Sequence, residues 1–455
     1  MRRSYPLFCL SLLLPAVTWP ATAASRSEWK AGVATVDITP AKPIWMAGFA
    51  ARKKPSEGVA RRLYAKALAL EDRRGQRVVI ITSDLLGFPR AVAEPIAERI
   101  GRQYRLRRDA ILFSSSHTHS GPVVRESLTS MYALDGQQAA AVLEYTAALQ
   151  DKVVEVGGAA LKDLAPATLS LGFGEAPFAV NRRTKKETGY VISPNPAGPV
   201  DRRVDVLKVE GAGGRLRAVL FNYACHNTTL GGDNYQIHSD YAGVAQETLE
   251  TAHPGVTALF MLGCGGDANP DPRGTMALVD THGASLAAAV DKVLAGGMRP
   301  LSGPLRPVFD RVNLPFAPAP PREEWQARLK SKDVYQQRHA RDMLAILDRD
   351  GRLPSSYPYP IQVVRFGKDL TMVALAGEVV VDYDLRLKKE LGAERLWVSG
   401  YCNDVFAYIA SKRVVQEGGY EAATSMIYYG QPGPWAPEVE EVLIGKVHQL
   451  VRKLK

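Results

Sequence analysis

Residues 78–83, VVIITS, form an unbroken apolar, β-branched run between Arg77 and Asp84, the pattern of a strand buried on both faces. Similar runs at 110–115, 217–224, 257–262, 370–375 and 396–399 predict further strands. Between them, apolar positions recur at helical spacing over 95–104, 137–161, 241–251, 277–294 and 379–391. A last amphipathic helix is predicted over 436–454, with Val439, Val442, Leu443, Val447, Leu450 and Val451 on the face expected to pack onto the rest of the chain. This alternation predicts an α/β fold, a mixed sheet flanked by helices. Two stretches break the pattern. The 177–199 segment, rich in Pro, Asn, Gly and basic residues, reads as a long surface loop. The proline-rich 314–321 segment leads into one polar-faced helix over 322–349, either a lid or a solvated surface helix. Neither has the composition of a flexible linker, so residues 25–455 read as one catalytic domain.

The first 24 residues follow a different grammar. Arg2 and Arg3 precede an apolar stretch interrupted by Pro15, and Ala21-Thr22-Ala23 offers a small-x-small cleavage pattern. This is the signature of a signal peptide cleaved near Ala23 or Ala24, and it implies a secreted or periplasmic protein. A retained anchor is the alternative, although the stretch is too short for an ordinary membrane span. The formal charge is +10, but the basic residues are scattered and lack interleaved aromatics, which argues against nucleic acid as a partner. A transient contact with an anionic membrane surface remains compatible with that charge. No obligate protein partner is implied. Beyond the signal, Cys225, Cys264 and Cys402 permit at most one internal disulfide. They read as small buried packing residues, with a Cys264–Cys402 pair as the alternative.

The chemistry gathers at strand ends. The predicted strands run into Asp84, into His117-Thr-His119-Ser-Gly-Pro, into His226, into Gly263-Cys-Gly-Gly-Asp267-Ala-Asn269-Pro270, into Gly377-Glu378, and into Asn403-Asp404 with Tyr408 beyond. Sites in open α/β sheets form outside the carboxyl ends of strands. His117 and His119, two apart, would face the same side of an extended backbone. With His226 they offer the neutral imidazoles that zinc takes, and Glu378 offers a carboxylate. Each histidine alone reads equally well as a loop residue bonded to backbone. His238 is ambiguous, and His253, His282, His339 and His448 read as surface or packing residues.

These motifs resemble the neutral or alkaline non-lysosomal ceramidases, over nearly the whole mature chain. The resemblance rests on Val36-Asp-Ile-Thr-Pro40, Met46-Ala-Gly-Phe49, the Asp84 strand, Ser114 to Pro122 (SSSHTHSGP), Asn181-Arg182, Ala224 to Thr229 (ACHNTT), the Asp240 loop, GGDANP, AGE, Tyr408, and Tyr420-Glu-Ala-Ala-Thr-Ser with Tyr428, Tyr429 and Gly430. It implies one zinc ion held by His117, His226, Glu378 and Tyr408. It implies His119 as the acid/base histidine, Arg182 and Tyr420 as groups that position the carbonyl or stabilise the oxyanion, and Asp240 and Asp267 as supporting carboxylates. The expected activity is zinc-dependent hydrolysis of the amide of ceramide or a related N-acyl lipid by a zinc-activated water.

The match departs in two places. Asn269 stands where the family carries a serine, so a covalent acyl-enzyme is not expected at this position, although an amide can still hydrogen-bond a substrate. The chain also ends soon after the YEAATS region, where the family usually continues into an immunoglobulin-like β domain. Both departures leave open a smaller, soluble acyl substrate cleaved as an amide or ester. A catalytically silent binding protein on the same scaffold is the third reading.

Overall fold

A computed structural model describes Met1 and residues 28–454; the signal-peptide expectation lies outside the described residues. Two sheets pack face to face. The larger has nine strands, in the order Thr257–Leu262, Leu216–Tyr223, Arg203–Glu210, Ala165–Glu175, Trp29–Asp37, Tyr64–Asp72, Arg77–Ser83 and Ile111–Ser115, with Arg299–Pro300 beside Ala165–Glu175. The smaller runs Leu305–Pro315, Ser356–Phe366, Leu370–Leu375, Leu396–Ser399.

Alternation explains the layering. Leu68, Leu70, Val78, Ile80, Leu112, Leu220 and Met261 face the smaller sheet, where they meet Val364, Phe366, Met372 and Trp397. Their neighbours Ala67, Val79, Ile81 and Phe113 face helices Arg90–Tyr104 and Gly136–Lys162. Val219, Phe221 and Phe260 face helices Asp240–Ala252 and Met276–Leu294. On the far side of the smaller sheet, Ile361, Val373 and Leu375 meet helices Val381–Leu391 and Val439–Lys453. The order is helices, sheet, sheet, helices. Central strands are therefore apolar on both faces, which is why they read as continuous runs rather than alternating ones. The C-terminal helix buries Val439, Leu443, Ile444, Val447, Leu450 and Val451, as its pattern predicts.

The predicted strands match closely, and each helix is found within a few residues of its predicted bounds. Two expectations fail. The 177–199 stretch is not a loop but a hairpin, Ala179–Lys186 with Gly189–Asn195, extended by Ala268–Pro270 into a three-stranded sheet. Hydropathy hid it because its buried residues are polar: Asn181, Arg182 and Arg183 all point inward and find partners there. The single helix expected over 322–349 is two, Arg322–Arg328 and Val334–Asp350. Nor is it simply solvated. Trp325, Ala340 and Met343 form a small core of their own. Tyr335 donates to the Ala50 carbonyl (2.7 Å), Arg338 to the Met131 carbonyl (2.8 Å), and Ser130 to Asp342 (2.6 Å). Among the described residues no helix is long and apolar enough to cross a membrane.

Candidate metal centre

The six reactive strand ends belong to three parallel pairs. Arg77–Ser83 runs parallel to Ile111–Ser115, Leu216–Tyr223 to Thr257–Leu262, and Leu370–Leu375 to Leu396–Ser399. Parallel strands finish on one side, so each pair delivers two loops to one rim. Backbone bonds then join the rims of the two sheets: Asn403 N–H donates to the Phe113 carbonyl, Gly400 N–H to Leu262, and Gly266 N–H to Val379. Glu378 and Tyr408 pair directly in a short parallel bridge.

His117, His119 and His226 converge, with candidate ligand atoms all within 4.8 Å of one another. The extended backbone expected to bring His117 and His119 together is absent. The strand has already ended at Ser115, and His117 sits at φ 61, a left-handed conformation uncommon for a residue other than glycine. Asp240, Tyr401 and Asn403 also have positive φ, so backbone strain collects around this rim. Gly48 explains the Met46–Phe49 motif. A Cβ there would lie 2.4 Å from His119 Nδ1, a clash only glycine avoids.

The histidine tautomers follow from their partners. His117 Nδ1 lies 2.6 Å from the Leu86 carbonyl and His226 Nδ1 2.7 Å from the Gly265 carbonyl. A carbonyl only accepts, so both Nδ1 atoms carry a proton, and in a neutral ring Nε2 then presents a lone pair. Those lone pairs face oxygen. His226 Nε2 is 2.9 Å from Glu378 Oε2 and 3.2 Å from the Tyr408 hydroxyl. His117 Nε2 is 3.0 Å from the same Glu378 oxygen, without the alignment of a hydrogen bond. Burial and the nearby Arg182 push the His226 pKa down to about 4, so it is neutral at neutral pH. Imidazole lone pairs aimed at a buried carboxylate repel it, and a metal cation or a ring proton between them relieves that repulsion. The donor set (two nitrogens, a carboxylate and a phenol) suits zinc.

The surrounding groups are fixed in turn. Tyr429, which sequence reasoning quoted but gave no role, donates to Glu378 Oε1 and leaves Oε2 for the histidines. Arg182 donates through Nε to Glu421 (2.9 Å), and through its two terminal nitrogens to Asn269 Oδ1 (3.1 Å) and the Tyr408 hydroxyl (2.9 Å). Glu421, the second residue of YEAATS, was also missed; it holds both Arg182 and Arg183. Tyr420 packs against Tyr408, ring centroids 5.3 Å apart, and its hydroxyl makes no hydrogen bond to the described residues. His119 stands apart: neither ring nitrogen has a hydrogen-bond partner, its ring touches Phe49, and burial, with His117 and His226 close by, holds it well below the ordinary imidazole range.

The supporting carboxylates are anchors. Asp267 accepts from Val381 N–H (2.8 Å) and Asn181 (3.0 Å), joining the hairpin to helix Val381–Leu391; burial raises its pKa to about 7. Asp240 accepts from the N–H groups of Thr229, Leu230 and Tyr241, pinning the segment after His226. His238 serves the same loop, accepting from Asp240 N–H at 2.8 Å. Asp84 does not join the cluster. Its carboxylate accepts from Tyr64 N–H and Gln246 beside a separate cavity of about 550 Å³, and burial raises its pKa to about 6. Cys225, Cys264 and Cys402 are all free and buried, so the alternative disulfide does not form.

Fold and site together define a four-layer α/β protein with a buried histidine cluster that could hold a metal ion where two sheets meet. The chain belongs to the neutral/alkaline non-lysosomal ceramidase family, whose N-terminal model matches residues 29–291. It is 26% identical over 281 residues to the neutral ceramidase of Pseudomonas aeruginosa, covering 59% of this chain and 41% of that protein. It is also 26% identical over 270 residues to neutral ceramidase A of Dictyostelium discoideum, covering 54% and 37%. The matched region thus spans about two fifths of those relatives' length. The crystal structure of the Pseudomonas aeruginosa enzyme shares the fold, with a TM-score of 0.72 at 20% identity over 92% of this chain and 73% of that one.

Proposed function

We propose that this protein is an exported zinc-dependent amidohydrolase that cleaves the N-acyl amide bond of ceramide or a related N-acyl lipid. The observation that carries this reading is the pair of imidazole lone pairs facing Glu378 and Tyr408, beside a histidine with both ring nitrogens unengaged. Export rests on the Arg2-Arg3, apolar, Ala21-Thr-Ala23 pattern. His117, His226, Glu378 and Tyr408 would hold the zinc ion, which would supply Lewis acidity and lower the pKa of a water to about 7.

The chain's own groups do the rest. His119 is neutral at neutral pH and takes a proton as attack proceeds, then returns it to the leaving amine nitrogen. The unengaged Tyr420 hydroxyl donates to the developing oxyanion. Arg182 holds the Tyr408 phenol and the Asn269 amide in place. Asn269 carries no nucleophilic atom, which supports direct attack by water on the amide.

The test is release of free fatty acid from an N-acylsphingosine by the purified, zinc-loaded protein, with Glu378→Ala as control. Release that depends on Glu378 is the expected result. Stoichiometric zinc with no release would remove ceramide as the substrate and point to smaller amides or esters.

A further inference from the structure

Of the three clustered histidines, His119 alone has no hydrogen bond to orient its ring. A group that moves a proton still has to be held in place, because a misplacement of about 1 Å can cost a factor of about 100 in rate. The contacts that hold His119 converge on Arg52. This guanidinium is 4% exposed. Its Nη1 donates to the His119 carbonyl (2.6 Å) and to the Ala47 carbonyl (2.6 Å), and Nη2 donates to the Asn234 carbonyl (3.1 Å). Those carbonyls lie on three separate loops, and among the described residues no other group donates to them. The guanidinium carbon also lies 5.0 Å from the centre of the Phe49 ring, and Phe49 packs edge-on against the His119 imidazole, ring centroids 4.8 Å apart. Arg52 thus reaches His119 twice, through its backbone and through the ring it packs against.

Carbonyl capping alone does not account for an arginine here. Among the described residues no carboxylate forms an ion pair with Arg52, and its Nε has no partner. A buried charge without a counter-ion is costly. The neighbouring Gly121 carbonyl is met by the Ala47 N–H at no such cost. We propose that Arg52 is a positioning residue for His119, fixing its imidazole against the scissile amide by tying the Ala47, His119 and Asn234 loops together. This rests on the amidohydrolase reading, in which His119 moves the proton. Arg52 itself donates only to backbone carbonyls and touches no reacting atom.

A double-mutant cycle tests this, with kcat and KM for an N-acylsphingosine and zinc per chain measured on the full chain, Arg52→Met, His119→Ala and the double variant. Arg52→Met should keep its zinc and a KM within about twofold of wild type, and lose about 10- to 100-fold in kcat. In the His119→Ala background the same change should cost less than about twofold, because no imidazole is left to place. Arg52→Lys keeps the charge and one donor nitrogen; it should recover part of the loss, and it replaces Arg52→Met in the cycle if that variant does not fold. An equal loss in both backgrounds, or an unchanged kcat in Arg52→Met, overturns the proposal. A second readout needs no turnover. Hydrogen exchange in peptides spanning 47–52 and 116–121 should speed up in Arg52→Met, while the Arg77–Ser83 strand exchanges as in wild type. If wild type releases no fatty acid, or His119→Ala is fully active, the amidohydrolase reading fails on its own. Faster exchange confined to those two peptides then keeps Arg52 as the residue that holds His119, and unchanged exchange removes it.

Discussion

His117 and His226 leave the nine-stranded sheet, whereas Glu378 and Tyr408 leave the ends of the four-stranded sheet, with Tyr420 and Tyr429 further along the same half of the chain. The first sheet contributes nitrogen and the second oxygen. The family's N-terminal model stops at residue 291 and so covers the nitrogen half only. On the ligand set proposed above both halves are needed: His117 and His226 alone leave zinc short of ligands, with His119 close by as a third imidazole, and a carboxylate beside a phenol lacks the nitrogens that zinc usually takes. The cooperation is built into the backbone: Gly266, between the Thr257–Leu262 strand and Asn269, has no room for a Cβ, which would lie 2.7 Å from the Glu378 carbonyl.

The largest way to break this comparison is to remove one ligand from either half. His226→Ala and Glu378→Ala should each abolish zinc binding, read by metal analysis after dialysis, and activity together. Full turnover by a metal-free His226→Ala protein would sink the assignment. A finer cut separates ligation from chemistry. Tyr420→Phe should keep its zinc and lose about 100- to 1000-fold in kcat, the scale of one oxyanion donor; an unchanged kcat would assign that donor elsewhere. Smaller again is Tyr429→Phe, which frees Glu378 Oε1 without touching a ligand atom. Zinc affinity should fall about 10- to 100-fold in a chelator competition, and wild-type affinity would show that Glu378 is held by other means.

The last test lies outside both halves of the site. Folding raises the Asp84 pKa from 3.8 to about 6, chiefly through burial. The folded state therefore favours the protonated carboxyl. Stability from this group is fully present below the unfolded pKa and is lost as the pH rises through 6. Asp84→Asn should thus be more stable than wild type at about pH 8, by up to about 3 kcal/mol, with the difference vanishing near pH 4. Denaturant melts at the two pH values check this. A difference of equal size at both would show that folding does not shift the Asp84 pKa.

Much of the fold was legible because its strands are apolar on both faces and its helices carry regular stripes. VVIITS at 78–83 needed no context to be read. Antiparallel strands went unread: Ala165–Glu175 alternates over a short stretch, burying Ala167, Leu169 and Leu171, while Leu305–Pro315 mixes exposed and buried positions without clean alternation, and neither was predicted. The 179–195 hairpin was misread for a sharper reason. Hydropathy treats Arg182 and Arg183 as surface residues, yet both are buried because Glu421 pairs with each of them and Glu417 with Arg183, all more than 230 positions away.

The site divides along the same line. Sequence alone singled out His117, His119, His226, Glu378 and Tyr408, through polar residues at strand ends and through motif resemblance. It also put Asp84 among the strand-end groups, although its side chain turns to a separate cavity. It assigned no work to Tyr429 or Glu421, whose meaning comes only from what they touch. Local sequence determines which segments are strands, where they end and which reactive side chains stand there, because those properties depend on neighbours a few residues apart. Tertiary structure decided which ends meet, which imidazole nitrogen carries the proton, and which buried charges are paired. Those depend on contacts between residues hundreds of positions apart, which no local pattern encodes.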